Sequence, residues 1–369
     1  MQGLMFLEPG RLAWREVPVP RLESESDALV RPLAVARCDL DAAVVRGEAP
    51  FRGKALHYLR NHLPNVVGQK GLFRDAPFRG PYAFGHESVG EIIEVGSEVS
   101  TRRVGERVVV PFQIACGTCS RCRAGLTSCC EAVPARSMYG FGALGGMRWG
   151  GVLSDCVRVP FADQMLLPLP EGASPEALAS AGDNVADGYR TVAGPLRARP
   201  GAEVLVVGGG AHSVALYAVA CALALGASRV VYADVAKERL EHAARLGAQP
   251  VELPHKPRRL GRFPITVDAS AHEHGLGIAL RSTDHGGVCT STGIYYASRT
   301  PVPLLDMYGT GLTFVTGRVD SRAVLPEVLA LVASGKLRPE RITTLVASWR
   351  DAAEAMLDPS VKVVVARPA

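Results

Sequence analysis

Nowhere in these 369 residues is there an apolar stretch of the roughly 18 uninterrupted residues that a membrane-spanning helix needs. The first residues, MQGLMFLEPGRLAW, lack the basic start and apolar core of a signal peptide. Basic residues never gather to the density of a nucleic-acid tract, and the formal charge of +5 is small for the length. Internal repeats and low-complexity segments are absent too. These gaps argue against a membrane or nucleic-acid partner and set a cytoplasmic location as the expectation. A disulfide framework is equally unsupported. The nine cysteines are odd in number and four fall in one tight cluster, a pattern that fits metal binding in a reducing compartment. What remains is an ordinary globular composition, 47% hydrophobic and 21% charged, in a chain too long for one core and therefore expected to form two domains.

Residues 203 to 234, EVLVVGGGAHSVALYAVACALALGASRVVYAD, read as one unit. Val204 to Val207 suit a buried parallel strand that the glycines stop. Ser213 to Leu225 are almost all apolar or small, which predicts a helix capped by Gly226. A second strand, Arg229 to Ala233, ends in Asp234. Strand, glycine turn, helix, strand and acid are the order that sets a pyrophosphate on a helix N-terminus and a carboxylate near an adenosine ribose. Gly208 and Gly210 take the first two positions of G-x-G-x-x-G, and Ser213 stands at the third. Asp234 favours NAD, because its carboxylate would bind ribose hydroxyls and repel a 2′-phosphate. Lys237 and Arg239 lie just beyond, either near the cofactor or as the solvated first turn of the next helix.

Residues 1 to 37 have the character of antiparallel strands, and Cys38 follows in VARCDLDAAVVRG. The segment 47 to 84 is rich in arginine, glycine and proline. A loop this long is expected to shape a substrate entrance or a subunit contact, with a short helix over Lys54 to His62. His57 and His62 have no nearby second pair and read as solvated. GHESVGEIIEVGSEV, residues 85 to 99, presents His86 and Glu87 in a turn that enters a β-branched strand. Cys116, Cys119, Cys122 and Cys130 then have C-x2-C-x2-C-x7-C spacing, which wraps four thiolates around one structural zinc; an iron–sulfur cluster is the competing reading.

On Cys38 with Asp41, the Gly85 to Glu87 turn, the four-cysteine lobe and the unit at 204 to 234, the chain resembles a zinc-containing medium-chain alcohol dehydrogenase over essentially its whole length. VPFQIACGTCSRC, VPARSMYGFG and VPFADQMLLPLP also resemble the branch with glutathione-independent formaldehyde dehydrogenases. The resemblance implies an α/β protein: a GroES-like catalytic domain at 1–170, a doubly wound Rossmann domain at 171–320, and a return to the first domain at 321–369. It implies a homodimer or homotetramer, and a catalytic zinc held by Cys38, His86 and Asp183. A thiolate and one carboxylate neutralise Zn²⁺, a neutral imidazole completes three ligands, and a fourth position stays open. Glu87 would be a third anion and is placed outside the permanent ligand set. Asp41 is expected to hydrogen-bond His86 and fix its tautomer. Lys362 is either a pyrophosphate contact or an exposed strand-edge lysine.

The implied reaction moves a hydride between an alcohol, or an aldehyde or ketone in reverse, and NAD. A carbonyl reductase or dismutase on the same site, and an NAD-binding structural protein without chemistry, are the rivals. One departure stands out. Related enzymes usually carry Ser or Thr two places after the zinc cysteine and a histidine three places further on, and these relay the alcohol proton. Here the positions hold Leu40 and Ala43, which cannot carry a proton, so Asp39, Glu87 and Asp187 are the candidate substitutes.

Overall fold

The computed structural model describes residues 1–48, 78–253, 257–295 and 299–368. Most of the loop 47–84, with its expected helix at 54–62 and both of its histidines, lies outside them. Two compact units emerge. One joins Met1–Asp183 to Asp320–Ala333 and Thr343–Ala369, and the other joins Asn184–Val319 to Ser334–Ile342.

The division therefore falls at Asp183, beyond the boundary at 170, and residues 334–342 leave the C-terminal return for the second unit. Packing explains the shift at Asp183. Leu178 and Ala181 join Val89, Val109, Leu167, Leu325 and Leu329 in one apolar cluster, and Ala179 packs with Ala34, Ala36 and Val364.

In the first unit the principal sheet runs in the order Leu345–Ser348, Val363–Ala366, Ala28–Ala36, Glu87–Val95, Arg107–Val110, Leu167–Pro168. Two antiparallel registers in it matter for function. Ala36 pairs with Glu87 on one side and with Val364 on the other, so the chain leaving this strand at Cys38 passes between His86 and Lys362. A distant cysteine, histidine and lysine are brought to one sheet end by strand pairing alone.

The second unit holds a six-stranded parallel sheet in the order Gln249–Glu252, Val230–Asp234, Val204–Val207, Phe263–Asp268, Thr283–Ser291, Thr313–Thr316. Val204–Val207 is central and buried at every residue, as a strand covered on both faces must be. The helix His212–Ala224 follows the glycine turn, and Gly226 (φ +84°) closes it as expected.

Candidate functional site

The first cluster is assembled from short-range devices. Cys38 is the N-cap of the helix Asp39–Val45: its Sγ accepts the Asp41 N–H at 3.2 Å, and Asp41 Oδ2 accepts the Cys38 N–H at 3.4 Å. A helix N-terminus and an N–H donor both favour a thiolate. Gly85 precedes His86 at φ +88°, and a Cβ there would lie 3.1 Å from the Leu153 side chain. Only glycine makes that turn without strain.

His86 then stands between two carboxylates. Its Nδ1 is 3.3 Å from Asp41 Oδ2, within ion-pair distance but without hydrogen-bond alignment, and its Nε2 is 3.2 Å from Asp183 Oδ2. Asp183 lies on a π-helical turn, Ala181–Val185, a distortion found often at functional sites. The Gly182 carbonyl anchors that turn by accepting the Phe112 N–H at 3.4 Å and the Ser321 hydroxyl, while the Ser321 N–H donates to Gln113 Oε1. The rings of Phe141 and Phe112 pack against His86 with centroids at 4.3 and 5.5 Å. Sequence reasoning passed over Gln113, Ser321 and both phenylalanines, because their contacts are long-range and carry no motif.

The ligand atoms of Cys38, Asp41 and His86 lie within 4.8 Å of one another, and so do those of His86, Glu87 and Asp183. Cys38 and Asp183 thus fall in two groups that share His86. All five residues are buried. Burial raises the Cys38 thiol well above its ordinary range, with Asp41, Asp183 and Glu87 adding to the effect. Burial also raises Asp41, against the pull of His86. For His86, burial lowers the pKa, but Asp41 and Asp183 outweigh it and bring it to about 9. Glu87 is pushed up by burial, with Lys362 opposing, and its Oε1 is a buried acceptor with no hydrogen-bond partner. One thiol and three carboxyls around a single imidazole, with Lys362 bonded to one of those carboxyls, make a donor set that fits a divalent cation.

Lys362 differs from the expectation of an exposed strand-edge residue. It is fully buried; its Nζ donates to Glu87 Oε2 at 2.7 Å and to the Arg37 carbonyl at 2.9 Å. It is not an exposed edge lysine, because the register that carries Val364 to Ala36 carries Lys362 to the sheet end beneath Glu87. Leu40 is half-buried against the core, and Ala43 is half-buried in the same helix. Asp187 is held by Arg190 Nε at 2.5 Å.

The four lobe cysteines, Cys116, Cys119, Cys122 and Cys130, also have their sulfurs within 4.8 Å of one another. Backbone N–H groups of Cys116, Thr118, Cys119, Cys122 and Glu131 point at these sulfurs at 3.3 to 3.5 Å. Those of Glu131 and Cys122 bring the Cys119 thiol down to about 6. A tetrahedron of thiolates about 2.3 Å from one zinc has edges of about 3.8 Å, which this spacing fits. A cubane cluster interposes its own iron and sulfide and needs a wider cage. Cys129 is exposed and outside the group.

In the second unit the glycine turn is anchored by its neighbours: the Gly208 N–H donates to the Ala233 carbonyl and the Gly210 N–H to the Ser270 carbonyl. The helix that follows has no side-chain cap at Ala211, the arrangement an anion can complete. Ser213 is buried, with its hydroxyl on Asn184 Oδ1 at 2.8 Å. Lys237, in the first turn of the next helix, has a side chain 90% exposed and 3.9 Å from Glu241. Asp234 is fully buried, with Tyr232 and Arg239 on its oxygens.

Residues 24–171 match the family model for the alcohol dehydrogenase GroES-like domain, and residues 213–334 that for zinc-binding dehydrogenases. A Mycobacterium tuberculosis protein named as a probable zinc-binding alcohol dehydrogenase is 33% identical over 283 residues, 75% of this chain and 71% of that one. The glutathione-independent formaldehyde dehydrogenase of Pseudomonas aeruginosa is 32% identical over 267 residues, 68% of this chain and 58% of its own length. Among solved structures, the alcohol dehydrogenase TADH from Thermus sp. ATN1 superposes over the whole of both chains with a TM-score of 0.82 at 30% identity.

Proposed function

The chain belongs to the zinc-containing medium-chain alcohol dehydrogenases, and on that premise we propose that Cys38, His86 and Asp183 hold its catalytic zinc and that Cys116, Cys119, Cys122 and Cys130 hold a structural one. The observation that carries this reading is the pair of buried ligand groups sharing His86, rich in negative charge and short of positive charge. When bound, zinc supplies a Lewis acid for an alcohol or carbonyl oxygen, and the nicotinamide dinucleotide supplies the hydride partner.

The chain's own residues do the rest. Asp41, 3.3 Å from His86 Nδ1, favours a proton on that nitrogen by its charge, while Nε2 faces Asp183. Lys362 draws Glu87 Oε2 to itself and keeps that carboxylate out of the permanent ligand set, which would otherwise carry one anion too many. Phe112 and Phe141 exclude water from the imidazole. The dinucleotide is placed at the turn Gly208 to Gly210 and the helix start behind it. Leu40 and Ala43 offer no route for the proton, so Asp39 and Glu87 are the acids to test, Asp187 being already engaged by Arg190.

A homodimer or homotetramer belongs to the same reading. Its support is the outer strand Thr313–Thr316, whose neighbouring helix Leu304–Thr310 exposes Leu304, Leu305 and Tyr308 at 68%, 84% and 86%. None of the nine cysteines is in a disulfide, in keeping with a reducing compartment. No helix among the described residues is long and apolar enough to cross a membrane.

Metal analysis tests the proposal directly. Two zinc ions per chain are expected. Cys38→Ser or Asp183→Asn should lose one of them and all turnover of an alcohol panel while staying folded, whereas Cys119→Ser should chiefly lower stability. One zinc per chain in the unmutated protein, or iron with sulfide, refutes it.

A further inference from the structure

Two helices of the second unit end side by side. His212–Ala224 and Lys237–Leu246 stop at Gly226 and Gly247, and a Cβ on Gly247 would lie 3.5 Å from the Leu223 side chain. Gly335 (φ +72°) turns the chain so that residues 335 to 341 run over both ends, and the turn Pro339–Ile342 packs against the first helix. These pieces do not close completely. They leave a cavity of about 260 Å³ with Leu223, Leu246 and Leu337 as an apolar floor and Lys336, Arg338 and Arg341 as its rim. Leu246 and Leu337 are buried, and all three cationic residues are exposed. The cavity is remote from the glycine turn proposed for the dinucleotide. That turn lies at the other end of His212–Ala224, whose 13 residues span about 20 Å.

Helix C-termini attract cations on their own account. Here that need is met within the chain: the Gly226 and Gly247 N–H groups return to the Leu223 and Ala244 carbonyls at 3.0 Å, and Arg341 Nη2 caps the Arg245 carbonyl. Arg341 is itself fixed, because its own carbonyl accepts the His242 Nε2–H at 2.7 Å. Lys336 and Arg338 exceed the need. Lys336 has no ion pair or hydrogen bond among the described residues. Arg338 has only Glu340, at 3.0 Å between side chains 69% and 40% exposed, where an ion pair is worth little. Burial lowers the His242 pKa, and the charges of Arg245 and Arg341 lower it further, against its bond to the Arg341 carbonyl and the charge of Glu238. The same excess of positive charge is felt there.

An apolar floor beneath uncommitted cations suits a ligand with an apolar tail and an anionic head. A water-sized atom takes about 30 Å³, so the space holds about nine non-hydrogen atoms. We propose that this cavity binds a medium-chain monocarboxylate of about six to eight carbons, its tail on Leu223, Leu246 and Leu337 and its carboxylate between Lys336 and Arg338. The site is separate from the zinc and dinucleotide sites and does not depend on either.

Equilibrium dialysis of radiolabelled octanoate against the zinc-loaded protein, with NADH saturating, tests the proposal without turnover. Octanoate should bind. As competitors, hexanoate should be about tenfold weaker for two lost methylenes, and octanamide about tenfold weaker for the lost charge. Lys336→Ala with Arg338→Ala should weaken octanoate by about tenfold or more; both side chains are on the surface, so this variant folds. Ala224→Leu puts a larger side chain into the lining and should abolish binding with all three cations in place. If Ala224→Leu fails to fold, the double variant still decides. Octanoate binding that is unchanged in the double variant places the ligand elsewhere, the zinc included, and overturns the proposal. Octanamide binding as tightly as octanoate overturns it too, as does inorganic phosphate competing equally well, which would make the rim a plain anion site. So does the absence of octanoate binding at millimolar concentration.

Discussion

Replacing Lys362 by methionine should destabilise this protein in a way that depends on pH. The pair it forms with Glu87 is fully buried at 2.7 Å. At an effective dielectric of about 20 the gross attraction is about 6 kcal/mol, and breaking a buried pair by removing one partner costs about 3 to 5 kcal/mol. The abandoned carboxyl escapes the full cost by taking up a proton. Burial already raises Glu87 to about 7 with Lys362 in place, so the folded state binds more protons than the unfolded one and stability falls as pH rises from 4.5 to about 7. Above that the unmutated protein levels off as far as this group is concerned. Lys362→Met removes the cation that opposed the shift, so its decline continues, widening the gap by about 1.4 kcal/mol per pH unit until the 3 to 5 kcal/mol limit is reached. Thermal midpoints at pH 6, 7.5 and 9 with fixed zinc should show a small loss at pH 6 and a loss of about 3 kcal/mol, or about 6 to 12 °C, at pH 9. Lys362→Met with Glu87→Leu should recover most of it, since an apolar pair of similar volume is tolerated where a lone charge is not. Parallel curves for Lys362→Met and the unmutated protein across this range, or no recovery in the double variant, would refute the reasoning.

Two further expectations concern the catalytic cluster. With Leu40 and Ala43 where a relay would stand, oxidation of simple alcohols should be slow, by up to the 10²- to 10⁴-fold that general acid–base assistance is typically worth. Leu40→Ser should raise the rate, and fast turnover that is indifferent to loss of Asp39 or Glu87 would contradict this. Gly85→Ala forces a side chain into φ +88° against Leu153 and should cost about 1 to 3 kcal/mol with a loss of one zinc, measured by thermal midpoint and metal content; a variant as stable and zinc-loaded as the parent would show the turn to be unconstrained.

Much of this protein is local and could be read in order along the chain. The four-cysteine lobe is legible because its spacing alone closes a tetrahedral shell. The strand, glycine turn and helix at 204 to 225 are legible because burial on both faces, an abrupt glycine stop and an apolar run each leave a compositional trace. Cys38, His86 and Asp183 follow from resemblance, and their nearness cannot come from spacing: it is made by the antiparallel register of Ala36 with Glu87 and by the π-turn that Gly182 anchors beneath Phe112 and Ser321.

What tertiary structure alone decided is which charges meet. Lys362 reads as an edge residue until strand order carries it under Glu87, and the Asp234 carboxylate is engaged by Tyr232, two residues before it, and by Arg239, five residues after it in the first turn of the next helix. A sequence shows which groups ionise. Whether an acid is offered to a ligand or spent on a neighbour depends on hydrogen bonds that form only when the strand, the turn and the helix have been folded against one another.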